Sequence, residues 1–439
     1  KDIGLLPQAW KYAGAVGAVG ALLALAGFVA DPHRFGYSYL FAFMTVLTFV
    51  FGGMFLVIAQ HLTLGHWGVT TRRIVEIVTM GAVVIAVLAL PLIAGVGTGA
   101  LDLYDEWARP AHGEHGDHDA AHGEHGTAPV LFGAATAHAD NGAAHGDEVH
   151  AHTPQEMALH HSLIEKKHSW LNLPFWIARA FVYLAVWIGI ALFYFRNSRK
   201  QDETRDPKLT NRMNSFAAPM AIAFGLTLTF AAFDWLMALQ PGWYSTIFGV
   251  IIFGGSATAI LALTIVIGIN LSNGGHVGNA MNVEHFHDLS RLMFGFICFW
   301  TYVGFSQWML IWYAGIPEEA VWYHARWSGG WQWVSVVLVL GHWIVPFFLL
   351  MSRNYKRNLS FLYAMCLWVL AFHVLDIYWF VMPHATATPS FRVNWIDIGC
   401  LMFTGGVFFA FVFQGLKRFP LIPVGDPRLE RSLHLHQTY

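Results

Sequence analysis

Two aspartates stand at the same distance before a proline in two separate apolar segments of the chain. Asp234 precedes Pro241 by seven residues, and Asp376 precedes Pro383 by the same seven. A charged side chain near the centre of a bilayer costs roughly 2.5 to 3.5 kcal/mol on insertion scales, so an acid there usually marks a function. The repeat therefore predicts a duplicated helical unit in which the acid has a task, with polar pairing between helices as the structural alternative.

Other polar side chains in the apolar segments could pass protons to and from these acids. Carboxylates and imidazoles are the side chains that most often relay protons inside membranes. The candidate proton path consists of Glu76, Asp234, His342, His373 and Asp376. Secondary polar candidates are His61, Asp288, Arg291, Gln307 and Asp397. Asp288 and Arg291 are three residues apart on a helix, which favours an ordinary ion pair between them.

His342 and His373 lie at similar depths in two successive segments, and two facing imidazoles are ligands for a haem b. The sequence has no second such pair and no CxxCH motif. Its three cysteines, Cys298, Cys366 and Cys400, lie in apolar segments without a CxxC motif. These features argue against covalent haem, a thiolate iron-sulfur cluster or a disulfide scaffold. We therefore expect the chain itself to bind no redox cofactor and no metal.

The composition is that of a membrane protein, with 56% hydrophobic and only 12% charged residues. About 20 apolar residues in a helix cross ~30 Å of hydrocarbon. Ten windows of this length lie near residues 10–29, 37–61, 72–95, 171–195, 216–239, 245–270, 287–313, 330–352, 358–382 and 395–415. The sequence predicts an all-α integral membrane protein with ten transmembrane helices.

Basic residues predict how the helices are oriented. Ten spans place both termini on one side, which carries 17 of the 25 Lys and Arg, against six on the other side. The positive-inside rule then predicts that both termini are cytoplasmic. A net charge of -2 offers no basic face for nucleic acid.

Repeated motifs predict the internal organisation. Arg196-Asn197 ends the fourth span and Arg353-Asn354 ends the eighth, and in both cases the acid-bearing span follows. We expect two parallel four-helix bundles plus two outer helices. The predicted divisions are residues 1–36 with the first helix, 37–242 as the first unit, 243–384 as the second unit, and 385–439 with the tenth helix and a cytoplasmic tail.

A histidine-rich connection, residues 96–170, separates the third and fourth spans. Half of the 24 histidines fall between His112 and His168, and residues 112–126 read HGEHGDHDAAHGEHG. No spacing there resembles a closed tetrahedral metal site. The composition favours a disordered, polar, periplasmic loop, with loose metal capture or pH-sensitive charge as the alternative.

Three runs of residues carry a resemblance to a known family. They are Phe305-Ser306-Gln307-Trp308-Met309-Leu310-Ile311-Trp312-Tyr313, Ile316-Pro317-Glu318-Glu319 and Phe233-Asp234-Trp235-Leu236-Met237. With the paired helical units, they resemble the ActF-type membrane subunits of bacterial alternative complex III, within the NrfD- and PsrC-like family. The resemblance covers the ten spans and excludes the histidine-rich connection.

This resemblance implies a membrane subunit of a quinol:cytochrome c (electron acceptor) oxidoreductase. It implies that haem c and iron-sulfur clusters reside in partner subunits, and that quinol or menaquinol is the electron donor. The implied partners are an iron-sulfur subunit, c-type cytochrome subunits, a homologous ActC-like membrane subunit, lipids and a terminal oxidase. The expected contribution of this chain is a proton-conducting path coupled to quinol oxidation, with a quinone site as an addition.

Two other functions fit the same residues. A polytopic proton-coupled transporter for a solute or ion also uses repeats and buried acids, and a structural scaffold needs neither a path nor a substrate. Co-purification with haem and iron-sulfur subunits would favour the respiratory complex, whereas activity of the chain alone in vesicles would favour transport.

Overall fold

A computed structural model describes residues 6–109, 162–278, 280–386 and 389–434 of the chain. These ranges form helices and contain no strand, and ten helices are long and apolar enough to cross a membrane. The predicted all-α integral membrane fold is confirmed. The centre of the histidine-rich connection, residues 110–161, lies outside the described residues.

The ten spans, numbered in chain order, have the following bounds. They are Gln8–Ala30, Pro32–Leu62, Val69–Thr98, Leu173–Thr204, Pro207–Leu239, Phe248–Asn273, Val283–Ala314, Trp331–Met351, Leu359–His384 and Trp395–Arg418. We call the side at which span 1 begins and span 10 ends the N-terminal face, and the other side the opposite face. The opposite face is the one predicted to be periplasmic.

Spans 2 and 6 occupy the centre of the molecule, and 94% and 83% of their apolar windows are buried. The two helices pack against each other. Span 2 also contacts spans 3, 4, 5, 9 and 10, and span 6 also contacts spans 3, 5, 7 and 9. Gly52 makes their contact close, because a Cβ atom there would lie 2.2 Å from the carbonyl oxygen of Ser256. The predicted division into two four-helix units stays a prediction.

Spans 1 and 10 pack on each other outside these units, and span 10 also contacts span 2. Glycines allow the close approach: a Cβ atom on Gly20 would lie 2.2 Å from the backbone nitrogen of Phe403, and one on Gly406 would lie 2.4 Å from Gly17. Small residues are the usual means by which membrane helices pack closely.

Span 8 changes its winding in the middle of the membrane. Residues Val339–Ile344 form a π-helix between the α-helices Trp331–Leu338 and Val345–Met351. Pro346 follows at once, and its ring would clash with the carbonyl of His342, four residues earlier, in a regular α-helix. The wider turn relieves this clash. Since π-helical turns are frequent at functional sites, the position of His342 within this one is notable.

Residues 420–434 fold back across the N-terminal face instead of extending away from it. Asp426 accepts a hydrogen bond from Arg72 of span 3 at 2.5 Å, and the backbone N–H of Gly425 donates to Asp202 of span 4 at 3.2 Å. Burial raises the pKa of Asp426, but the charges of Arg72 and Arg428 outweigh burial and hold it below its usual range. This segment is therefore part of the packed molecule.

Candidate functional site

The first of the repeated acids, Asp234, is held by four hydrogen bonds to its carboxylate. Arg179 donates from Nε to Oδ2 at 2.7 Å and from Nη2 to Oδ1 at 2.8 Å. The Tyr183 hydroxyl donates at 2.7 Å and the Trp170 indole at 2.9 Å. A two-pronged arginine pair is among the strongest charge-assisted arrangements. The negative charge of Asp234 is therefore compensated in place.

Aromatic rings enclose this ion pair and join it to the surrounding helices. The Arg179 guanidinium lies 4.2 Å from the ring centroid of Trp170 and 4.3 Å from that of Phe175. The Trp176 indole donates to the backbone carbonyl of Asp234 at 3.0 Å. Both charged side chains are buried, so the arrangement joins spans 4 and 5 near the opposite face.

The second repeated acid, Asp376 of span 9, has very different surroundings. It is 2% exposed, its Oδ1 atom has no hydrogen-bond partner, and no ion pair joins it within the described ranges. Aligning Arg196-Asn197 with Arg353-Asn354, an offset of 353 − 196 = 157, places Val336 where the first unit has Arg179. If the π-helix contributes one extra residue, the equivalent is Ser335. Either alignment replaces the arginine by an uncharged side chain.

His373 lies one turn before Asp376 on span 9 and is fully buried. Its Nε2 atom lies 2.8 Å from the hydroxyl oxygen of Thr48 on span 2. That hydroxyl already donates its proton to the carbonyl of Thr45 at 2.7 Å, so its oxygen accepts from His373. A neutral ring that carries its proton on Nε2 has Nδ1 as the acceptor, and Nδ1 has no partner in the described structure.

A glycine leaves a small space between the histidine and the acid. A Cβ atom on Gly255 of span 6 would lie 3.6 Å from Nδ1 of His373 and 3.6 Å from Oδ2 of Asp376. Both polar side chains therefore face the same space beside span 6.

His342, from the π-helix of span 8, is the third member of this group. Its ring stacks on Trp300 of span 7 with centroids 4.3 Å apart and 21° between the planes. Both ring nitrogens are buried and have no hydrogen-bond partner among the described residues. The π-helix that carries His342 packs against span 9, the helix that carries His373. We call Asp376, His373 and His342 the acid-histidine cluster.

A cavity of about 740 Å³ opens between spans 7, 8 and 9, with Asp376 on its wall. Its lining is predominantly apolar and aromatic, and includes Trp300, Trp308, Trp312, Trp322, Trp343 and Trp379. The side chains of Val336 and Leu340 that line it are also partly exposed on the outer surface of the helices. The cavity is thus adjacent to the region that lipid would occupy.

Arg326 also lines the cavity, at its end near the opposite face. Its guanidinium donates to the backbone carbonyls of Trp322, Trp379 and Phe380 at 2.8 to 3.1 Å and packs 3.5 Å from the Trp322 ring centroid. No carboxylate pairs with it within the described ranges, and burial lowers its pKa well below the usual value. The cavity therefore has a basic side chain, Arg326, at its end near the opposite face. Its acidic side chain, Asp376, lies within span 9.

The structure does not bring the other two predicted path residues into the acid-histidine cluster. Glu76 lies toward the N-terminal face between two arginines, with Oε1 3.1 Å from Arg72 and Oε2 3.3 Å from Arg73. Asp234 lies in the first unit, where Arg179 pairs with it. Neither contact tests proton transfer, so their membership of a path stays a prediction.

The secondary candidates have mostly structural contacts. Asp397 accepts hydrogen bonds from Arg34, Ser38 and Tyr378, and His61 lies 2.9 Å from the amide oxygen of Asn214. Asp288 and Arg291 form the expected ion pair at 3.7 Å. Gln307 is buried and its Oε1 atom lacks a partner in the described structure.

Three residues that shape the site were missed by sequence reasoning. Thr48 fixes the orientation of His373, Trp300 covers His342, and Arg326 lies at the cavity mouth. The hydroxyl of Thr48 in an apolar span gave little signal, since threonines in membrane helices commonly bond to their own backbone. Arg326 could have been found as an isolated cation in an aromatic loop.

Comparison with known proteins gave no relatives: no family model matches the chain, and no curated protein matches it. Within the described residues, no three or more His, Cys, Asp or Glu side chains are grouped so that they could hold a metal ion.

Proposed function

We propose that this chain is the proton-conducting membrane subunit of a quinol-oxidising respiratory assembly of the alternative complex III type, in a bacterial inner membrane. Its resemblance to the ActF-type subunits supports the assembly. The observation that carries the proton role is Asp376, a buried acid with no paired cation among the described residues. Beside it, Nδ1 of His373 and both ring nitrogens of His342 lack hydrogen-bond partners in the same part of the chain. Such intramembrane groups are characteristic of proton relays.

The geometry supports a specific order of proton carriers. Asp376 lines the cavity and takes up a proton there. The proton passes through the space beside Gly255 to Nδ1 of His373, while Thr48 holds Nε2. His342, at a similar depth on span 8, is the next carrier. No electron moves through these side chains, because in this proposal the haem c and iron-sulfur centres belong to partner subunits.

The cavity itself supports a second role, as a quinol site. Its volume is within the ~300 to 1,000 Å³ usual for small-molecule sites, and aromatic walls with one convergent acid suit a hydroquinone ring. One ring hydroxyl would donate to the partnerless Oδ1 of Asp376. The isoprenoid tail would leave past Val336 and Leu340 into the lipid.

A transporter and a scaffold remain the competing functions. A transporter would also need the acid-histidine cluster, but it would work without redox partners. A scaffold would need the ion pairs of Asp234 and Asp397, and would be indifferent to the charge of Asp376. Purification from native membranes distinguishes them, because the proposed function requires haem and iron-sulfur subunits to accompany the chain.

Asp376→Asn in the intact assembly is the test of the proposal. An amide keeps the size and polarity of the side chain and removes its ability to carry a proton. We expect proton-coupled quinol oxidation to fall at least tenfold while haem content and subunit composition stay unchanged. The control is Glu318→Gln, an exposed acid on the opposite face. Wild-type turnover and proton release in Asp376→Asn would refute the proton role.

A further inference from the structure

Four basic side chains lie at the N-terminal face, in two pairs beside the end of span 10. Lys11 and Lys417 place their ammonium groups 5.8 and 6.0 Å from the ring centroid of Trp10. Arg199 and Arg418 place their guanidinium carbons 4.9 and 5.7 Å from the ring centroid of Phe419. We call these four residues, with Trp10 and Phe419, the basic corner.

The charges of the basic corner are largely uncompensated by the protein. Within the described residues, no carboxylate forms an ion pair with Lys11, Lys417 or Arg418. Arg199 has one acidic neighbour, Glu203, at 3.7 Å in an exposed pair, and such pairs contribute little. By contrast, Arg72 and Arg73 of the same face are buried against carboxylates. An anion from outside the chain is the complement that the basic corner lacks.

A hydrogen-bond donor lies at the same place. The indole nitrogen of Trp10 is buried and has no partner in the described structure. Tryptophan is enriched where helices leave the hydrocarbon, because its ring is apolar and its N–H seeks a polar partner. An oxygen atom of a bound anion near Lys11 and Lys417 would provide that partner.

The position of the basic corner determines the kind of anion. Span 1 begins and span 10 ends here, so the cations lie where the headgroups of a bilayer begin. Below them, span 1 presents exposed apolar side chains, with Leu22 70% and Val19 50% exposed. A ligand with a negative headgroup and acyl chains satisfies both features, whereas a free ion satisfies only the first.

We propose that the basic corner binds the headgroup of an anionic phospholipid. The lipid phosphate lies between Lys11 and Lys417 and accepts from the Trp10 indole, while Arg199 and Arg418 attract the rest of the headgroup. Basic pockets between transmembrane helices on the positively charged side are known to hold acidic lipids. The site is distant in sequence and in the fold from the acid-histidine cluster, and it does not depend on the proposed function.

Native mass spectrometry of the purified chain with added lipids tests this proposal. We expect one phosphatidylglycerol to be retained at least tenfold better than phosphatidylethanolamine. Lys11→Gln together with Lys417→Gln should reduce that retention about tenfold or more, since each basic residue near the surface adds to acidic-lipid affinity. Lys11→Arg with Lys417→Arg should restore it, which separates loss of charge from misfolding.

Two controls test whether a change in lipid retention has another cause. Lys208→Gln with Arg431→Gln removes two exposed charges from the same face and should leave retention unchanged. Inorganic phosphate should not compete, because it lacks acyl chains. Equal retention of both lipids, equal loss in the control pair, or full competition by inorganic phosphate would each overturn the assignment.

Discussion

Asp234 and Asp376 each precede a proline by seven residues, yet their surroundings are opposite. Asp234 is paired with Arg179 and receives two further hydrogen bonds, from Tyr183 and Trp170. Asp376 has no paired cation in the described structure and has one oxygen without a partner. The first carboxylate is immobilised as a charge, whereas the second faces a cavity and a histidine.

In our proposal, Asp234 stabilises the fold through an ion pair, and Asp376 carries protons. An arginine beside a buried carboxylate stabilises its charged form and makes it a poor proton carrier. At the aligned position on span 8, Val336 or Ser335 supplies no cation for Asp376.

Removing the arginine from the first region should have the largest effect on stability. Arg179→Met leaves the charge of Asp234 buried without its partner, and breaking a buried ion pair costs about 3 to 5 kcal/mol. We expect a large drop in the thermal stability of the purified chain. Asp376→Asn, which breaks no ion pair, should change it little. Equal stability of Arg179→Met and the wild-type chain would mean that the pair is not structural.

Adding an arginine near Asp376 should give this acid a paired cation like that of Asp234. Val336→Arg places a cation at the aligned position, within the cavity that Asp376 lines. We expect proton release by the assembly, followed with a pH-sensitive dye, to fall about tenfold while the chain still assembles. Val336→Met fills similar space without charge and should retain more activity. Undiminished proton release with the arginine present would contradict the comparison.

The hydrogen bond between His373 and Thr48 allows a test of whether the tautomer of His373 matters for proton transfer. Thr48→Val keeps the shape of the side chain but removes the acceptor for Nε2, leaving a buried donor unpaired at a cost of about 1 to 3 kcal/mol. We expect turnover to fall several-fold and its pH profile to shift. Thr48→Ser, which keeps the hydroxyl, is the control. An unchanged pH profile in Thr48→Val would remove Thr48 from the mechanism.

Asp426 is another buried acid that pairs with an arginine. It tests whether such an ion pair holds residues 420–434 in place. Its folded-state pKa is depressed, so its contribution to stability is present above the unfolded value of about 4 and is lost as the pH falls below it. Hydrogen exchange should show residues 420–434 opening in acid, with little change between pH 6 and 8. Asp426→Asn should open the segment at neutral pH. A segment equally protected at pH 3 would contradict this account.

The sequence was sufficient to predict the transmembrane spans and to single out Asp234 and Asp376, because both depend on local composition and spacing. The length of each apolar run predicts a crossing helix. The partners of the acids were not predictable in the same way. Arg179 and Asp234 are 55 residues apart, and Thr48 and His373 are 325 apart, so only the packing of the helices brings them together.

The local backbone geometry of span 8 was also not predictable from the sequence. A π-helix surrounds His342 just before Pro346, whereas Pro91 and Pro219 lie inside α-helices, so proline alone does not predict a π-helical turn. Glu76 was included in the candidate proton path because an acid in an apolar span is conspicuous. Its two arginine neighbours, Arg72 and Arg73, were visible in the sequence, and their spacings of four and three residues already favoured ion pairs.

The most direct measurement of the central claim is carboxyl labelling of the native assembly with dicyclohexylcarbodiimide, followed by peptide mass spectrometry. This apolar reagent reacts with membrane carboxyl groups that bind a proton, and an arginine-paired carboxylate resists it. The account predicts modification of Asp376 with loss of proton release, and no modification of Asp234. Modification of Asp234 with Asp376 untouched would contradict it.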